Sequence, residues 1–164
     1  MLLRVVVTIA FSLSLAVGIG HGQNPQVTKD QAELQSYTLT MDTVTHVMQA
    51  THALSEYAKK HPELKSAANS PTSQTIDGMS GRLASIPGVT GILATYKLTP
   101  RTYSVATLCF AEIGMAMAAV NAGAKSNEVV TKLHINPANI ELLQTHKGEL
   151  QELSRKYSVQ DSGN

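Results

Sequence analysis

The chain has 164 residues, of which 43% are apolar and 15% charged, with thirteen Lys and Arg against twelve Asp and Glu. So much apolar content with so little net charge argues against disorder and for one globular domain, and the lack of a basic excess argues against a nucleic-acid partner. A single cysteine rules out an intramolecular disulfide scaffold and a Cys-rich zinc site, and two Phe, five Tyr and no Trp leave little to build a base- or sugar-stacking groove.

Residues 1–22 have the order of a secretory signal peptide. Arg4 is the only charge, Val5–Gly20 is mostly apolar, and Gly20-His21-Gly22 puts small residues at the cleavage positions. The apolar run is sixteen residues long and interrupted by Thr8, Ser12 and Ser14, whereas a membrane span needs roughly 20 apolar residues. Cleavage before Gln23 is therefore expected, together with export to the periplasm or the medium. The mature chain would carry twelve basic and twelve acidic residues. It is long enough to bury a core without a disulfide or metal.

Residues 23–36 are polar and read as a loose arm with a helical turn over Lys29–Gln35. The bundle domain is expected over 37–158. Thr40 is a helix cap, and Val44, Val47, Met48, Leu54 and Ala58 then recur on one face. Asp42 suits the positive end of that helix, Lys59, Lys60 and His61 suit the negative end, and Pro62 stops it. Ala67–Ser73 reads as a loop. Ile76, Met79, Leu83 and Ile86 mark a second helix, Ile86-Pro87-Gly88 interrupts it, and Val89–Tyr96 follows as a short third one.

Thr99-Pro100 joins a cap to a proline at the first helical position, where the missing N–H is harmless. From Tyr103 to Val120 the only charge is Glu112, so this helix is apolar on nearly every side and is expected at the centre. Its small stripe, Ser104, Thr107, Ala111, Gly114 and Ala118, should admit a neighbouring helix closely. Thr102, Ser104, Thr107 and Glu112 argue against a membrane span here. Residues 127–135 fit either a short helix or an extended link. Asn136-Pro137 repeats the cap and proline, and Ile140, Leu143, Leu150, Leu153 and Tyr157 place one last helix to about Tyr157, with 159–164 a polar tail. Strand alternation and phosphate-cradling glycine loops are absent from the sequence. The expected fold is all-α, a compact bundle of four main helices plus short ones, behind a cleaved signal helix.

Tyr37-Thr38-Leu39-Thr40 and Tyr96-Lys97-Leu98-Thr99 recur ahead of the two longest helices. An apolar residue beside a Thr cap is a common helix start, and that accounts for the pair better than a duplication does. Leu98-Thr99-Pro100-Arg101-Thr102-Tyr103, the Ala/Met-rich helix after it and Asn136-Pro137-Ala138-Asn139 resemble segments of a group of small, exported bacterial helical proteins of uncharacterised function. The resemblance covers the C-terminal half and, more loosely, the first long helix. It implies export and carries no functional residues over.

Three residues stand out chemically. Glu112 lies on a largely apolar helix, where an unpaired buried carboxylate is costly and takes up a proton. His146 falls among Leu142, Leu143, Leu150 and Leu153 at helical spacing, and Cys109 lies one turn before Glu112. The ordinary readings are an edge glutamate, a hydrogen-bonded core histidine and a packed thiol. The sharper reading is a buried polar cluster of Glu112, His146 and Cys109, with Glu112 and His146 bonded across two packed helices. His52 and Glu56 are four apart, but two ligands do not make a metal site. The His-Glu-x-x-His, Cys-x-x-Cys-His and Glu-x-x-His signatures are absent. No cofactor or metal is implied, although Met48 with His146 would be the pair to hold a noncovalent haem.

The expected role is therefore a non-enzymatic exported bundle that binds a small apolar ligand or another envelope protein. The alternatives are an enzyme or redox protein using Cys109, Glu112 and His146, and a haem or metal protein.

Overall fold

The helices that follow Thr40, Thr75, Thr99 and Asn136 start on local side-chain caps, and the computed structural model shows all four formed. It describes residues 25–64, 75–125, 128–130 and 135–157. The segments read from the sequence as a signal peptide (1–22), a loop (67–73) and a polar tail (159–164) lie outside these residues. All regular structure among the described residues is helical. In chain order the helices are α1 (Pro25–Ser36), α2 (Met41–Lys60), α3 (Ile76–Ser85), α4 (Val89–Thr95), α5 (Pro100–Asn121), α6 (Pro137–Thr145) and α7 (Lys147–Tyr157), with a 3₁₀ turn at Pro62–Leu64 after α2.

The Thr40 hydroxyl accepts from the Thr43 amide at 3.1 Å, and the Thr99 hydroxyl accepts from the Thr102 amide at 3.0 Å. Each satisfies one of the orphan donors of a first helical turn. The apolar residue ahead of each cap, Leu39 or Leu98, is buried in the core. The recurring Tyr-x-Leu-Thr segments are thus two copies of one way to enter a helix. Thr75 caps α3 in the same manner through the Gly78 amide, at 3.0 Å. Gly88 opens α4 with φ of +80°, a left-handed conformation that glycine adopts freely. A Cβ there would also lie 2.5 Å from the Tyr57 hydroxyl oxygen.

The N-terminal half of α5 is the centre of the core. Val105, Ala106, Cys109 and Ile113 are buried against Val47, Ala50, Ile76 and Leu93 from α2, α3 and α4. The most extensive packing partner of α5 is α3, while α7 lies on α2. Val129, in a helical turn at 128–130, and Ile135 close the same core from the segment between α5 and α6.

Three expectations need correction. The polar arm is a full helix, α1, rather than a loose segment with one turn. Its anchors are polar: Asp30 is buried and accepts from the Ile76 amide at 2.9 Å, and Glu33 accepts both from Arg101 Nε at 3.1 Å and from a terminal guanidinium nitrogen. Arg101 also donates to Asp77, which ties α1, α3 and α5 together. The last helix is two. It breaks at His146, beside the β-branched Thr145 and just before Gly148, both poor helix formers. Finally, among the described residues the small stripe of α5 seats no neighbouring helix along its second half. Ala111 and Ala118 are exposed, and no atom lies within 4 Å of where a Gly114 Cβ would sit.

Candidate functional site

Cys109 is carried on the buried face of α5, and its thiol lies 3.9 Å from the Leu34 carbonyl oxygen, for which it is a weak donor. Burial, reinforced by the charge of Glu112, pushes the thiol up to about 12. A thiol that holds its proton so firmly is a poor nucleophile at neutral pH. Its role here is packing.

Glu112, one turn on, is half-buried. No hydrogen bond reaches its carboxyl from another described residue, and burial alone pushes it up to about 7. Sequence reasoning therefore located an unusual carboxylate but gave it the wrong partner. His146 is the C-terminal cap of α6, with its amide donating to the Leu142 carbonyl at 3.0 Å. Its ring Nδ1 lies 3.0 Å from a carboxylate oxygen of Glu149, one turn into α7, and its side chain is 35% exposed. The bond foreseen with Glu112 is not made. Because the helix breaks at His146, helical spacing no longer carries through that residue, and the stripe with Leu150 and Leu153 that placed it in the core does not hold. Of the three residues, the structure brings Cys109 and Glu112 together and leaves His146 at the α6–α7 joint.

The other chemical pairings also resolve into surface contacts. Glu56 accepts from Lys59 at 2.8 Å, and that ammonium holds its carboxyl below the usual range. The His52 ring packs near Tyr157, with centroids 6.1 Å apart, and Tyr157 in turn accepts from the Gln49 amide at 3.1 Å. His52 Nδ1 is buried without a partner among the described residues. No three His, Cys, Asp or Glu side chains converge among the described residues in a way that would hold a metal.

Two features escaped the sequence reading. The first is a polar clamp. Asn139 is 1% exposed; its Oδ1 accepts from the Leu39 amide at 2.7 Å and its Nδ2 donates to the Tyr37 carbonyl at 2.8 Å. Asn136 caps α6 through the Ala138 amide at 3.0 Å and donates to the same Tyr37 carbonyl at 3.1 Å. The start of α6 thereby satisfies the Leu39 amide and the Tyr37 carbonyl in the extended link between α1 and α2, two groups outside the bonds that tie the ends of the link to the helices. The signal for a cap was legible in Asn136-Pro137; nothing local marks a contact one hundred residues away.

The second feature is an apolar surface. Past Ile113, α5 keeps its apolar sequence, but only Ala116 is still buried and Ala119 packs against the core. Met115, Met117 and Val120 are 38%, 41% and 38% exposed. Over Pro100–Val120 the mean hydropathy is 1.6, and only 39% of the most apolar stretch is buried. By length and composition this helix is apolar enough to cross a membrane, as the core helix of a soluble domain also can be. Its first half is that core helix, whereas its second half presents Ala111, Met115 and Ala118 on one line, and Met117 and Val120 on the opposite side, beyond the buried Cys109 and Ile113. Flexible, polarisable methionines next to small residues form an adaptable contact surface.

No family model matches the chain, nor does any curated protein or solved structure.

Proposed function

We propose that this protein is an exported, non-enzymatic binding protein that docks an apolar partner on the C-terminal half of α5. In this reading the chain is cleaved after Gly22, as in the group of exported bacterial proteins it resembles. The mature domain is then a bundle of four main helices: α2, α3, α5 and the α6–α7 pair. The observation that carries the proposal is the exposure of Met115, Met117 and Val120 on the most apolar helix of the chain. Single apolar side chains on a surface need no explanation, but here Met115 lies with Ala111 and Ala118 along one side of α5 while Met117 and Val120 lie together on the opposite side.

The partner class favoured is another envelope protein. The exposed residues lie along the outside of a helix, a shape that suits the flank of a second helix. A small apolar ligand is the second form of the same proposal. The non-enzymatic part rests on Cys109, whose buried thiol stays protonated, and on the separation of His146 from Glu112. The test is native mass spectrometry of protein recovered from the envelope or medium. The expected species begins at Gln23 and carries a bound protein or apolar molecule, and Met117→Lys loses that adduct while remaining folded. A chain that starts at Met1, or an adduct unaffected by substitutions at 115, 117 and 120, would overturn the proposal.

A further inference from the structure

We draw no further inference here: the strongest candidate, the exposed apolar face on the C-terminal half of α5, already carries the proposed binding role, and nothing in the structure shows what covers it.

Discussion

Replacing Glu112 by Gln should stabilise the protein at alkaline pH and leave it nearly unchanged in acid. The reason is that burial raises this carboxyl from 4.5 to about 7 without a compensating hydrogen bond from a described residue. The folded chain then binds the proton more tightly than the unfolded chain does. The contribution of Glu112 to stability is fully present below about 4.5 and is lost as the pH climbs through 7, beyond which a constant penalty remains. At roughly 1.4 kcal/mol per pH unit the difference has an upper bound of about 3 kcal/mol. The side chain is only half-buried and water reaches it, so about 1–2 kcal/mol is the expected size. Glutamine has no proton to lose and keeps the shape of the neutral acid. Thermal melts followed by circular dichroism at pH 4.5, 6, 7 and 8 would compare the two proteins. In a domain of this length each kcal/mol moves Tm by roughly 2–4 °C. Glu112→Gln should therefore melt roughly 2–8 °C above the wild type at pH 8, with the gap closing toward pH 4.5. Two Tm profiles that run parallel across this range would refute the reasoning. They would mean that Glu112 titrates alike in the folded and unfolded chains.

Asn139→Ala removes the acceptor of the buried Leu39 amide and one of the two donors to the half-buried Tyr37 carbonyl. Urea denaturation should register a loss of about 2–4 kcal/mol, and a loss below about 1 kcal/mol would show that the clamp is dispensable. Thr99→Ala leaves the Thr102 amide without its cap and should lower stability by about 1 kcal/mol, with Thr99→Ser recovering most of it. Cys109 should resist thiol reagents in the native protein at pH 8 and react fully once urea unfolds it; rapid native labelling would contradict the buried, protonated thiol.

What was legible in the sequence was local. The caps at Thr40, Thr99 and Asn136 join residues two or three apart, so residue type and spacing determine them. The apolar period of α2 correctly placed Val44 and Val47 inside, although Ala58 near its end is exposed. The errors share a physical origin. Helix α1 is seated by Asp30 and Glu33, and the periodicity of apolar residues carries no record of a polar anchor. The apolar girth of α5 implied burial throughout, but hydrophobicity around a helix does not say where its neighbours end. They thin out past Ile113, with Ala116 the last buried residue of the helix, and the stripe expected to seat a helix is exposed at Ala111 and Ala118. At Glu112 the composition gave the correct sense of a carboxyl out of place. The partner assigned to it depended on an unbroken last helix, and the break at His146 turned that histidine to Glu149 instead.

The central claim is that the C-terminal half of α5 is a binding face, and site-specific photo-crosslinking in the producing cell tests it most directly. A photoreactive residue is placed in turn at Met115, at Met117 and, as a control, at the exposed Ala58 of α2. The account predicts one discrete adduct to an envelope protein, or to an apolar small molecule, from both α5 positions and none from position 58. Equal, diffuse labelling from all three positions, or no adduct from α5 in the folded protein, would contradict it.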